Sequence, residues 1–155
     1  PAMALALRVL ERVLFALLLT MVLIVLVNVV ARFFFHSALT WADEVARFLF
    51  IWLTFLGATL GVARGSHIGM DIVVQKVGPR TRKGLEIVSC VLVLVFLGAW
   101  GVFGWSLVLQ NLDYLAPSTE VPMGYVYAVG PLSALLMAGL YLDKLARALR
   151  TPAGA

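Results

Sequence analysis

The chain has 155 residues, 63% of them hydrophobic and 13% charged, with a net charge of +4 and a mean hydropathy of +1.02. Soluble domains carry about 25% charged residues, so this composition excludes a soluble globular domain and implies an integral membrane protein. The single cysteine, Cys90, lies inside an apolar run, which excludes a disulfide framework and a cysteine metal site.

Residues 1–12 form a short basic lead with Arg8, Glu11 and Arg12. The first apolar run, 13–35, is interrupted only by Asn28 and Arg32. It exceeds the roughly 7–15 residues of a signal peptide's apolar region and ends in Phe33-Phe34-Phe35 instead of a small-residue cleavage site, so a retained span is expected. Arg32 can snorkel to the headgroups from the last turn. Asn28, one turn deeper on the same face, is either a helix–helix hydrogen-bonding group or a tolerated polar residue. His36 to Leu39 make a tight connection, with Thr40 as the expected N-cap of the next helix.

The second span, 41–64, carries the most distinctive residues. Trp41 belongs at the membrane interface. Asp43 and Arg47 stand four apart with the acid first, the better order for a helical ion pair. That pairing leaves Glu44 without a local base. It then either meets a base outside its own helix turn, such as Arg32 or one on a partner chain, or remains a hydrated acid at the positive end of the helix dipole. Gly57, Gly61 and Gly65 recur every fourth residue, a spacing that lets another helix approach closely. Gly57 and Gly61 lie roughly 100° or more around the helix from Glu44, which begins a separate apolar stripe, so this helix offers two contact faces and is expected to be central.

Residues 67–77 alternate apolar and polar groups at helical spacing, the pattern of a short amphipathic helix on the membrane surface, with His67 and Asp71 four apart and able to pair. Gly78-Pro79 ends it, and Arg80, Arg82 and Lys83 follow as a basic cluster. The third span is expected over 85–109, thinned on one side by Gly98, Gly101 and Gly104. The 110–121 loop is acidic, with Asp113 and Glu120. The fourth span, 121–142, has Pro131 near its middle, where a kink or a freed carbonyl is expected. Gly130, Ala134 and Ala138 form a further small-residue ladder. The tail holds Asp143, Lys144, Arg147 and Arg150.

A run of about 22 residues spans roughly 33 Å as a helix, enough for a bilayer core of about 30 Å. The expected fold is therefore all-α: a single membrane domain, 1–155, of four transmembrane helices plus a short amphipathic cytoplasmic surface helix. Ten of the twelve bases fall on the lead, the 64–84 loop and the tail, and two, Arg32 and Arg47, on the opposite side. Basic loops stay inside, so both termini are expected in the cytoplasm. The same asymmetry accounts for the basic isoelectric point without nucleic acid.

The middle thirds of the four spans contain no Asp, Glu, Lys, Arg or His, whereas a carrier or pump acting alone needs polar groups near the midplane. There is no catalytic nucleophile with a nearby base, no phosphate-binding glycine loop and no metal cluster, so no enzyme, cofactor or metal site is expected. His36 and His67 lie outside the spans, against a haem-anchor subunit. A small four-helix exporter would need an acid embedded in its first helix, and none is there. Haem anchor, exporter and accessory subunit of another complex nonetheless stay open as alternatives. The residues by themselves favour an accessory or scaffolding subunit.

Trp41, Glu44, the run from Phe48 to Ala58, and Arg64-x-x-His67-Ile68-x-x-Asp71 give the chain a resemblance to the small permease subunit (DctQ type) of tripartite ATP-independent periplasmic (TRAP) transporters. Ser118 with Pro122, and Pro131, match weaker features near the C-terminus. The resemblance covers roughly residues 10 to 148. It implies a multi-pass protein of the bacterial inner membrane, bound to a large permease subunit of about twelve spans that holds the substrate and sodium sites. It also implies a periplasmic substrate-binding protein that delivers an organic acid. The small subunit would scaffold the large one among the membrane lipids. Candidate interface or structural residues are Trp41, Glu44, Arg47, Gly57, Gly61, Arg64, His67, Asp71 and Pro131.

Overall fold

A computed structural model describes residues 2–37, 39–65 and 79–150. The expected surface helix over 67–77, with His67 and Asp71, lies outside the described residues. Five helices are present among them: α1 (Ala2–Phe34), α2 (Thr40–Ala63), α3 (Pro79–Gln110), α4 (Met123–Tyr127) and α5 (Val129–Arg150). Among the described residues there is no strand, only an isolated antiparallel bridge between Leu115 and Pro122. Four segments are long and apolar enough to cross a membrane: Leu5–Phe34, Thr40–Ala63, Lys83–Gln110 and Met123–Arg150.

The helices overrun the apolar runs. The basic lead is already helical, because Leu5 to Leu10 are good helix formers that continue straight into the first span. Pro79 opens α3, where its fixed φ and missing N–H cost nothing, so the basic cluster sits on the first turns of a helix and not in a loop. The tail bases likewise ride on the last turns of α5.

The fourth span departs from expectation at Pro131. The chain breaks at Ala128, one turn earlier, between α4 and α5. A proline in a helix interior strips a hydrogen bond from the carbonyl four residues back. Restarting the helix at Val129 puts Pro131 in its first turn, where backbone N–H groups have no intrahelical partner in any case. Thr40 also differs from its expected role. Leu39 is the N-cap, with extended backbone and no side-chain cap, and Thr40 is the first helical residue.

The long helices stand in the neighbour order α1, α2, α5, α3. α2 is central, touching α1, α5 and the short α4. α1 shows α2 a single stripe that steps by three and four residues through Leu10, Leu14, Leu17, Met21 and Ile24 to Asn28, and exposes the rest. That spacing suits a nearly antiparallel helix pair. Between α3 and α5 lies the core of Cys90, Leu97, Ala134 and Tyr141, with Val62 of α2 against it. Here small residues face small residues. A Cβ at Gly101 would lie 3.9 Å from the Ala134 Cβ, and one at Gly104 would lie 3.3 Å from the Pro131 Cδ. Lipid supplies no hydrophobic push between helices, so close approach of this kind is what holds them.

The glycine ladder of α2 behaves otherwise. A Cβ on Gly57 or Gly61 would meet nothing within 4 Å, so no described helix packs against them. Gly65 (φ +71°) ends α2 in the left-handed region that a helix C-terminus favours and that glycine enters without strain.

Candidate functional site

Asn28 and Arg32 of α1, and Ser118 and Thr119 of the 111–122 loop, converge on two adjacent acids at the start of α2. His36 (φ +52°) turns the chain out of α1. Asn28 of α1 is 5% exposed and uses both ends of its amide there. Its Oδ1 accepts from the Leu39 N–H at 3.1 Å, and its Nδ2 donates to Asp43 Oδ1 at 2.7 Å. Arg32 Nη2 donates to Asp43 Oδ2 at 3.4 Å. Asp43 therefore ties α2 to α1 and does not pair with Arg47. The local spacing was favourable, but a buried amide and a second arginine across the turn outcompete a flexible side chain on the exposed face. Arg47 is exposed and has no ion pair among the described residues.

Glu44 points about 100° round the helix from Asp43, to the loop. Its Oε2 accepts from the Ser118 N–H at 3.2 Å, the Thr119 N–H at 2.8 Å and the Thr119 hydroxyl at 2.8 Å. Within the chain, Arg32 goes to Asp43, and Glu44 is met by a small nest of donors on the loop. Two consecutive N–H groups with a hydroxyl beside them satisfy a carboxylate as a cation would. The loop is built to present them. Ala116 N–H donates to the Val121 carbonyl at 2.9 Å, Glu120 N–H donates to the Ala116 carbonyl at 3.0 Å, and Glu120 itself sits at φ +53°. At the loop's base Met123 N–H reaches the Tyr114 carbonyl at 2.8 Å and Gly124 N–H the Asn111 carbonyl at 2.9 Å. Gly124 is needed there: a Cβ would fall 2.8 Å from the Val108 carbonyl oxygen and from Leu112 Cδ2.

At the far end of the α1–α2 pair, Arg64 Nη2 donates to Glu11 Oε1 at 2.6 Å. Sequence reasoning missed this tie. Glu11 and Arg64 are similarly distant from the turn between their helices, a signal available only once the hairpin is assumed. The donors on Ser118 and Thr119 carried no sequence signal, since backbone N–H groups gather through loop conformation. Of the remaining expected residues, Trp41 is 44% exposed, and Pro131 is buried against Gly104. Three midspan hydroxyls serve their own helices: Thr54 donates to the Phe50 carbonyl, Thr59 to Phe55 and Ser133 to Gly130. Chemically, the arrangement fixes helix ends and one loop. It offers no nucleophile with its base.

Comparison with known proteins agrees with this arrangement. A provisionally described TRAP transporter small permease protein of Haemophilus influenzae is 28% identical over 138 residues, 89% of this chain and 86% of that protein. The C4-dicarboxylate TRAP transporter small permease protein DctQ of Vibrio cholerae is 36% identical over 85 residues, 52% of this chain and 37% of that protein. The isethionate TRAP transporter permease protein DctMQ of Oleidesulfovibrio alaskensis is 30% identical over 118 residues, 74% of this chain and 18% of that protein. The chain thus spans less than half the length of the last two relatives. The family model for tripartite ATP-independent periplasmic transporters, DctQ component, matches residues 21–151, from the middle of α1 past the end of α5, and the chain belongs to that family.

Proposed function

We propose that this chain is the scaffolding small subunit of a sodium-coupled, binding-protein-dependent transporter for organic acids. Membership of a transporter-permease family, and not an enzyme family, fixes the general role. The observation that carries the finer reading is where the polar groups go. The midspan hydroxyls of Thr54, Thr59 and Ser133 bond their own helices, and the acids and bases stay at the helix ends. A sodium site needs several converging oxygens, and an organic anion needs positive charge or helix N-termini aimed at it. Such groups would then reside on a large permease subunit.

The isethionate relative supports such a partner. Its name joins the two components, and this chain matches only 18% of it. The relatives' names cite chemically different acids, a C4-dicarboxylate and isethionate, which fits a small subunit that does not choose the substrate. The base asymmetry supports cytoplasmic termini, with the 111–122 loop and the Asp43–Glu44 corner on the periplasmic side, where a binding protein would arrive. The test is reconstitution in liposomes with and without the large permease and binding protein. Sodium-driven uptake of an organic acid is expected only with all three. Sodium-dependent uptake by this chain alone would overturn the proposal.

A further inference from the structure

α1 turns one stripe to α2 and leaves the opposite side bare. That bare side begins with Arg8 and Arg12, one turn apart and both exposed, and continues through Phe15, Leu19, Leu23 and Leu26, all exposed. It lies roughly 170° from the stripe of Leu10, Leu14 and Leu17 that meets α2, so no acid of α2 can reach the two arginines. Glu11, about 60° round the helix from Arg8, is taken by Arg64. Two other bases at this end have acids of their own: Lys144 has Glu86 and Arg147 has Asp143. Arg8 and Arg12 have none among the described residues.

Two like charges at this spacing repel each other on a helix, and guanidinium groups held together suit the oxygens of a phosphate. Below them the exposed side is bulky and apolar at every turn, unlike the small-residue faces that admit another helix. From Arg12 to Leu26 it runs about 21 Å, somewhat more than the roughly 15 Å of one leaflet's hydrocarbon. A charged head over an apolar track of that length has the shape of a phospholipid.

We infer that Arg8 and Arg12 form a headgroup site for an anionic phospholipid whose acyl chain lies along Phe15, Leu19, Leu23 and Leu26. The inference stands whether or not the transport reading does. It is tested by titrating the purified full chain, in detergent, with phosphatidylglycerol, phosphatidylethanolamine and glycerol phosphate, counting bound molecules by native mass spectrometry. Phosphatidylglycerol should bind in preference, and glycerol phosphate, lacking a chain for the apolar track, should not compete. Arg8→Gln or Arg12→Gln should each weaken phosphatidylglycerol binding about fivefold and the pair about thirtyfold, at the usual value of one basic group near an anionic surface. The double Lys variant should keep most of it, and Arg150→Gln, at the same end on α5, should change nothing. Neither arginine has an ion pair among the described residues, so an unaltered thermal melt is expected and separates lost binding from misfolding.

Equal binding of the two lipids, or equal binding by glycerol phosphate, would overturn the site. So would the same loss in Arg150→Gln, which would indicate only a diffuse basic end. A double Gln variant that keeps phosphatidylglycerol but loses co-purification with a large permease would assign these arginines to a protein partner instead.

Discussion

Replacing Glu44 by alanine removes three hydrogen bonds from one oxygen, two from backbone N–H groups and one from the Thr119 hydroxyl. A bond to a charged group contributes about 1.5–3 kcal/mol when well buried. Glu44 is only half-buried and Ser118 is exposed, so water recovers much of each donor's loss, and about 2 kcal/mol for the set is a reasonable value. That corresponds to about a thirtyfold shift in the ratio of docked to undocked loop. Glutamine keeps an acceptor but loses the charge, which makes such bonds roughly twice as strong, so about a fivefold shift is expected. Hydrogen–deuterium exchange on peptides covering 112–122 reads this directly. The Ser118 and Thr119 amides should exchange about thirtyfold faster in Glu44→Ala, while peptides from the interiors of α3 and α5 stay unchanged. Asp43→Asn should leave the loop amides alone and loosen the Leu39 amide at the α1–α2 turn, because Asp43 serves the other neighbour. Unaltered protection of the loop in Glu44→Ala would refute the carboxylate as its anchor.

Gly124→Ala forces a Cβ against the Val108 carbonyl and should destabilise the protein by about 1–3 kcal/mol, seen as a lower melting temperature in detergent; an unshifted melt would mean α4 can move away freely. Gly57→Ala and Gly61→Leu enter open space within the chain, so the isolated protein should melt normally, and any loss should be confined to co-purification with a large permease. Glu11→Arg and Arg64→Glu should each destabilise the α1–α2 pair, and the double swap should recover part of the loss, with a coupling of about 0.5–1 kcal/mol for an exposed pair; strict additivity would count against the ion pair. In a Cys90-free background, a cysteine at position 113 should label from the periplasm and one at 150 only after the inner membrane is opened. Reversed labelling would invert the topology.

How much of this was legible in the residues depended on whether the cause was local. Four spans follow from apolar runs that only a bilayer accommodates; α2 touches α1, α4 and α5, but not through the glycine face the spacing offered, which meets no described helix. Pro131 announced an interruption, but not that the chain would break at Ala128 to carry the proline into a first turn. Asp43 and Arg47 had the right spacing for a local pair, yet the partner was Asn28, fifteen residues back, and Arg32 beside it. No one-dimensional pattern ranks a tertiary neighbour above a helical one. For Glu44 the in-chain partners are backbone donors and a hydroxyl on a loop; a base can be read from the sequence and such a nest cannot. The ladders looked alike on paper: Gly130, Ala134 and Ala138 meet α3, whereas Gly57 and Gly61 meet nothing in this chain.

The polar ties also explain how a helix touched on one side can hold its height in a membrane. Along α1 the tied residues Glu11 and Asn28 are 17 positions apart, roughly 26 Å, and along α2 Asp43 and Arg64 are 21 apart, roughly 32 Å, a mismatch the long side chain of Arg64 can absorb. A slip of α1 by one turn, 5.4 Å, would leave its three-and-four stripe packed almost as well as before, because Leu10, Leu14, Leu17 and Met21 are similar in bulk. Apolar packing alone therefore leaves the register weakly specified. The same slip would break Asn28 from Asp43 and Glu11 from Arg64 together, stranding charges at the membrane's edge. Placed at the ends, where water is near, these groups cost little to keep charged; placed at midspan, the same pairs would carry the desolvation cost of the bilayer interior. On the scaffolding role proposed above, helices held at fixed depth for a larger partner, with the middle of the membrane left to that partner's chemistry, are best pinned where these are pinned.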